Sequence, residues 1–224
     1  MVPFRPSTFA NEDEIPFKET QMKRPFLALL ICIVLGVVIL LSGARPVRAG
    51  NNTESPTLFD VDQDAAADYC AKKGGEVDIR SPYYNTNDNN PRNWVRLSGT
   101  HAFCKFTSLK DGSRIHVLLS TLYTKQPSLA ALAYYAEVPY GGTCSGNPGS
   151  CYCSQLGGTD LFGGINPNGG GWVQMSDPVD TVLEACIFPD MSTIDSWGLT
   201  YHQAKIIRGK NLRGVLRYPD PYAK

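Results

Sequence analysis

Cysteines carry the most distinctive chemistry in this chain, and their placement divides them. Cys32 sits inside an apolar run, whereas Cys70, Cys104, Cys144, Cys151, Cys153 and Cys186 lie downstream in polar surroundings. An even set of this kind in an exported chain reads as a disulfide framework. The competing chemistry is a metal or redox centre made from Cys144, Cys151 and Cys153. Zinc pairs, however, stand about two to four residues apart with a second pair or histidines nearby, and Cys151-x-Cys153 has neither. Bridges are therefore expected, with no metal and no cofactor.

His101, His116 and His202 are scattered along the chain. A Cys/His nucleophile pair can meet in space from any spacing, but no GxSxG or HExxH string is present, and no helix carries paired carboxylates at ligand spacing. The expectation is a noncatalytic protein, with an undetected enzyme as an alternative. The segment KIIRGKNLRGVLR, 205–217, places Lys205, Arg208, Lys210, Arg213 and Arg217 together, with no acid between Asp195 and Asp220. A hairpin turning at Gly209-Lys210-Asn211 would display them as a patch for an anionic partner. The simpler reading, which we favour, is a solvated edge strand whose charges discourage aggregation. Tyr83, Tyr84, Tyr134, Tyr135 and Tyr140 are candidates for a recognition surface, Tyr134 and Tyr135 equally for half-buried core.

Composition narrows the class. Lys+Arg 21 balance Asp+Glu 21, so no nucleic acid is expected as a partner, and Gly 21 with Pro 16 favours a loop-rich globular protein over a helical bundle. Phe26 to Leu41 is apolar throughout apart from one Gly and follows Lys23 and Arg24, so the run enters a bilayer with its N-terminal side in the cytoplasm. Two outcomes stay open: a single-pass anchor, or a secretory signal cut after Ala49 behind Val47-Arg48. A start at Met22 instead of Met1 would give a short basic lead. Residues 1–25 are then a cytoplasmic tail or a mis-called start, 26–44 the transmembrane anchor or signal, and 45–61 a polar linker bearing the formal glycosylation acceptor Asn51.

The elements that must position these residues repeat. Asp64 is a plausible N-cap for a helix running to about Lys73 and stopped by Gly74-Gly75. EVDIR follows as a short strand, then strands at Trp94-Val-Arg-Leu and Ala102-Phe-Cys-Lys-Phe, a hairpin turn at Lys110-Asp111-Gly112, and RIHVLL. Gln126 to Val138 reads as a helix capped by Ser128, with Leu129, Leu132 and Ala133 on one side. The second copy begins with Asn147 as N-cap and Pro148 in the first turn, and Gly157-Gly158 end its helix. Tyr152-Cys153 match Tyr69-Cys70, Trp172-Val173 match Trp94-Val95, and Cys186-Ile-Phe188 match Cys104-Lys-Phe106. Helix cysteine and strand cysteine are separated by 34 residues in one copy and 33 in the other. The repeat points to bonds Cys70–Cys104 and Cys153–Cys186, leaving Cys144 for Cys151.

The run NPGSCYCSQLGG, then Trp172, then CIFPDMSTIDSWGLTY resembles the small bacterial and archaeal domain known as DUF333, sometimes labelled hemolysin-like. Its pattern runs roughly NPAxxYCxxxGG, then CxFPDGSxCdeWal and a closing Cys. The resemblance covers about 60 residues of the second copy and, more weakly, Asp64 to about Leu119. Where that pattern carries a second cysteine pair, this chain has Ile194 and Ala204. The resemblance implies an exported domain of unknown molecular function.

The expected fold is α+β: two tandem disulfide-stapled units, 62–140 and 141–224, each a short helix on an antiparallel sheet, behind one transmembrane helix. The expected role is a noncatalytic extracytoplasmic binding or assembly module, in one form an accessory subunit of a membrane complex. Membrane contact would run through Phe26 to Leu41, and a protein partner would lie on the extracytoplasmic side. A secreted inhibitor or lytic effector is the alternative outside enzymes.

Overall fold

Helix α1, Gln63–Lys72, begins where the Asp62 carboxylate accepts from the Asp64 and Ala65 N–H groups, both at 3.1 Å. The cap thus falls two residues before Asp64, which lies in the first turn as a helical residue. The computed structural model describes residues 61–160 and 168–223, all within one compact unit, Thr53–Lys224. The apolar run 26–41, the site after Ala49, and Asn51 lie outside the described residues. Among the described residues no helix is long and apolar enough to cross a membrane.

Helix α4, Pro148–Gln155, repeats the start of α1 with Asn147, whose Oδ1 accepts from Gly149 at 2.8 Å and Ser150 at 3.3 Å. Both helices stop at two glycines that have different jobs. Gly74 and Gly157 take the left-handed region, φ +81° and +83°, which costs a side chain strain. Gly75 and Gly158 return their N–H to Cys70 O and Cys153 O, at 2.9 and 3.0 Å. They also lie against the bridge: a Cβ would fall 2.9 Å from Cys70 Sγ at Gly75 and 2.9 Å from Cys153 Sγ at Gly158.

Among the described residues eight strands form one sheet: β1 Glu76–Tyr84, β2 Val95–Arg96, β3 His101–Thr107, β4 Arg114–Leu118, β5 Gly170–Val173, β6 Val182–Leu183, β7 Ala185–Ile187 and β8 Thr193–Asp195. The order is β6-β5-β1-β3-β4-β8-β7, with β2 also on β1, and every pairing is antiparallel. The ends of this path, β6 and β7, are separated in the chain by Glu184 alone, so the sheet curls into a near-closed barrel. Strands of the first half and of the second pair in two places, β1 with β5 from Ser81 to Tyr84 and β4 with β8 where Val117 faces Ile194. That rung runs Cys104, Val117, Ile194, Cys186, with a disulfide at each end.

Side chains directly opposite in an antiparallel pair share a face. Val77, Cys104, Val117, Ile194 and Cys186 therefore point one way, and Asp78, Phe103 and Leu118 the other, as do Lys105 and His116. Helices cover the first face: α1, α2 Leu119–Tyr123, α3 Leu129–Ala136, α4 and α5 Ser196–Gln203 contribute Ala66, Leu122, Tyr134, Tyr152 and Leu199 to one core. The second face lines the barrel interior, where Phe103, Leu118, Trp172, Leu183 and Ala185 form a smaller apolar cluster beside buried charges.

Three disulfides fasten the helices to this frame: Cys70–Cys104, Cys153–Cys186 and Cys144–Cys151. In the chain-entropy account loops of 34 and 33 residues contribute about 4 kcal/mol each and the 7-residue loop about 2 kcal/mol. On α3 the buried side is Ala130, Ala131, Tyr134 and Tyr135, whereas Leu129 is exposed. This corrects the expected Leu129, Leu132 and Ala133 face. The alanines let the helix approach closely while the tyrosine rings fill the space, and each hydroxyl finds a polar partner, Tyr135 at the Tyr218 carbonyl, 2.7 Å, and Tyr134 at the Leu212 N–H, 3.0 Å.

Candidate functional site

Strand β1 turns its charged side chains inward. Asp78 and Arg80, two apart, share the interior face and are buried, while the intervening Ile79 is 61% exposed on the outside. The guanidinium of Arg80 donates from Nε to Asp78 Oδ2 at 2.7 Å, and from Nη1 to the carbonyls of Trp172 at 3.1 Å and Asp180 at 2.6 Å. His116, from β4, sits between carboxylates: Nε2 is 3.1 Å from Asp78 Oδ2 and Nδ1 is 3.8 Å from Asp195 Oδ2. Burial pushes the His116 imidazole down, but Asp195 and Asp78 outweigh it and hold it above its ordinary range. Burial likewise pushes the Asp78 carboxyl up, and His116 and Arg80 bring it below the usual carboxylate range.

At the barrel mouth Asp177 accepts from Arg114 Nη1 at 2.9 and 3.0 Å and from the Val179 and Asp180 N–H groups at 3.1 Å. Arg114 also pairs with Asp180 Oδ2 at 3.3 Å. Opposed by burial, these backbone hydrogen bonds and the guanidinium keep the Asp177 carboxyl well below the usual range.

The network borders a surface cleft at Asp180, which is partly exposed, and at Asp195, which is buried. Asp195 Oδ1 caps α5 by accepting from Gly198 N at 2.8 Å. Gly198 is required there, since a Cβ would meet Ile115 Cγ1 at 2.6 Å and Cδ1 at 2.7 Å. With α5 pressed on β4, Trp197 and Tyr201, one turn apart, stand over a cleft of about 340 Å³ whose wall is Val182, Leu183 and Glu184. Their rings lie 6.0 Å apart with planes tilted by 34°. Arg208 closes one side, its guanidinium 5.3 Å from the Tyr201 ring centre. Glu184 accepts from Asn147 Nδ2 at 2.6 Å on both oxygens. Burial and the charge of Asp160 push its carboxyl up, only partly offset by hydrogen bonds from Asn147 and Trp197. A second cleft of about 330 Å³, lined by Asp111, Ser113, Ile206 and Ile207, shares Tyr201 and Arg208 with the first. The two clefts adjoin at Tyr201 and Arg208 as a groove whose first part is rich in acceptors and whose second mixes Ile206 and Ile207 with Asp111 and Ser113.

The expected sites fall elsewhere. Segment 205–217 forms neither hairpin nor edge strand; it is irregular, with one 3-10 turn at Leu212–Gly214. Its cations disperse among several partners. Lys205 and Arg213 pair with Glu137, Arg213 also with Asp220, Lys210 with the Lys73 carbonyl, and Arg217 lies 4.0 Å from the Tyr123 ring centre. Arg208 alone of the five lines the groove. Tyr134 and Tyr135 are core, Tyr140 packs edge-on against Tyr152, and Tyr83 packs on Trp94. His202 is buried, stacked 3.7 Å from Tyr134, with Nε2 3.1 Å from Glu137 Oε1. Burial together with Arg213 and Lys205 outweighs Glu137 and pushes His202 down to about 4.

Of the residues at this site, His116 stood out in the sequence only as one of three histidines, and Asp78, Arg80, Asp180, Glu184, Asp195, Trp197 and Tyr201 did not stand out at all. The available signals were D-x-R in β1 and R-x-H in β4, charged pairs at strand spacing, and W-x-x-x-Y at one helical turn. Among the described residues no group of three or more His, Cys, Asp or Glu is placed to hold a metal ion. No family model, curated protein or solved structure matches this chain.

Proposed function

We propose that the protein is a noncatalytic binding module working in an oxidising, extracytoplasmic compartment, and that it engages its partner along the groove over α5. The observation that carries this is the way the acceptor end of the groove is built. Asp180 and Asp195 face the cleft and are held from behind by Arg80, Arg114 and His116, so that their geometry is set before a ligand arrives. Three disulfides support the compartment, because such bonds persist where the surroundings are oxidising. In this reading Phe26 to Leu41 tethers or exports the domain, and the two halves descend from one DUF333-like helix-on-sheet unit.

A photo-crosslinking side chain placed at Tyr201 in the full chain, expressed in its own cells, tests the assignment against the same group at Val95, which is exposed on β2. Adducts formed from position 201 and absent from position 95 are expected. Equal adduct patterns at both positions, or none at 201, would remove the groove as the recognition surface.

A further inference from the structure

The charge distribution in the groove narrows the chemistry of what it holds, and this step rests on the groove being the recognition surface. Two of the three carboxylates in the first cleft already have cations behind them, Asp180 with Arg114 at 3.3 Å and Asp195 with His116 at 3.8 Å, while Asp111, in the adjoining cleft, accepts from the Ser113 N–H at 3.0 Å and hydroxyl at 2.7 Å. Glu184 meets the neutral donor Asn147, and its burial favours the uncharged carboxyl. What these groups offer the cleft is acceptor capacity with little unbalanced charge. Arg208 adds donors on the opposite side. An incoming ammonium would meet the Arg208 charge and gain little from carboxylates that are already paired.

The remaining wall is aromatic. Tyr201 is 37% exposed and Trp197 half-buried, and their tilted rings form a shelf one helical turn long beside the acceptors. A ring with apolar C–H faces and a rim of hydroxyls matches this arrangement: the faces lie on the aromatic shelf while the hydroxyls donate to carboxylates and accept from Arg208. The cleft volume of about 340 Å³ is within the range of small-ligand sites, and the adjoining cleft extends it past Tyr201 for a further ring.

We infer that the groove over α5 binds a neutral carbohydrate, stacked on Trp197 and Tyr201 and hydrogen-bonded by Glu184, Asp195, Asp180 and Arg208. The test is calorimetric titration of the full chain, held in a detergent without a sugar headgroup. Probes are neutral hexasaccharides of β-1,4-glucose, β-1,4-N-acetylglucosamine and α-1,4-glucose, with a lysine hexapeptide as the cationic comparison. Saturable binding of at least one hexasaccharide is expected, little changed by salt, because no net charge is neutralised. It should weaken about tenfold in Tyr201→Ala and in Glu184→Gln, and be retained in Tyr201→Phe, which keeps the stacking face. Near-UV circular dichroism identifies any variant that has lost its packing, and Tyr201→Phe with Glu184→Gln carries the comparison if Tyr201→Ala is one of them. Salt-sensitive binding of the lysine peptide alone would overturn the carbohydrate and leave the groove as the recognition surface. Failure of every probe would also overturn it; adducts from position 201 would then preserve the groove reading, and their absence would end both.

Discussion

Replacing Arg80 by methionine keeps the length of the side chain and removes its charge from a site that is 0% exposed. The guanidinium donates to Asp78 at 2.7 Å, to the Trp172 carbonyl at 3.1 Å and to the Asp180 carbonyl at 2.6 Å, and stands 3.6 Å from Asp177. Without Arg80, Asp78 retains only His116 at 3.1 Å, and breaking a buried ion pair costs roughly 3–5 kcal/mol. Few domains have more than about 15 kcal/mol in total, so the variant is expected to unfold at a much lower denaturant concentration. The assay is equilibrium urea unfolding of the oxidised protein at neutral pH, followed by far-UV circular dichroism. Adding Asp78→Asn removes the charge that has lost its guanidinium, so the double variant should be less destabilised than the sum of the single changes by about 1–2 kcal/mol. Lowering the pH should narrow the gap between Arg80→Met and the parent protein. In the parent, Asp78 titrates below its ordinary value and contributes stability above it, lost as pH falls through the folded value. In the variant Asp78 keeps only His116 Nε2, at 3.1 Å, as a charged partner, so its protonation costs less than in the parent. A loss under about 1 kcal/mol for Arg80→Met, or strict additivity in the double variant, would refute a preorganised ionic interior.

The two buried histidines should act on stability with opposite signs. His116 is raised, so its contribution is complete below the unfolded value near 6.5 and lost as pH rises through the folded value; His202, lowered to about 4, contributes fully above about 6.5 and loses that contribution as pH falls toward 4. Ring-nitrogen NMR is expected to find His116 losing its proton at a higher pH than His202, and the reverse order would contradict the charge layout around them. At the helix stops, Gly157→Ala is expected to cost about 1–2 kcal/mol through its left-handed backbone. Gly158→Ala should cost about 1–3 kcal/mol by crowding the Cys153–Cys186 bridge, measured as a fall in thermal midpoint that disappears from the comparison once the bridge is reduced. A fall at Gly158 that persists unchanged after reduction would show that the bridge is not what the added methyl group meets.

Local chemistry carried the sequence reading a long way. Asn147 before Pro148, and Gly-Gly after each short helix, specify start and stop through groups only a few residues apart, and the α4 boundaries follow from them. The repeat related two cysteine pairs with nearly equal separations, and the same pairs close the bonds. Asp62 displaced Asp64 as a cap because either carboxylate could serve and geometry chose between them. The face of α3 depended on which volumes the barrel left open, which no helical period records.

The groove was beyond the sequence for a similar reason. Asp78, Arg80, His116 and Asp195 come from three strands whose partners are set by sheet order, and a charge that reads as a solvated face along one strand becomes interior once the sheet curls. Lys205 to Arg217 shows the converse: cations adjacent in the chain diverge to Glu137, the Lys73 carbonyl and the Tyr123 ring. Short-range capping, turn and cysteine chemistry was determined by the sequence alone. Which charges meet, and which aromatic rings stay open to a ligand, was decided by the tertiary structure, because those contacts depend on strands that are distant in the chain and adjacent only after the sheet has closed.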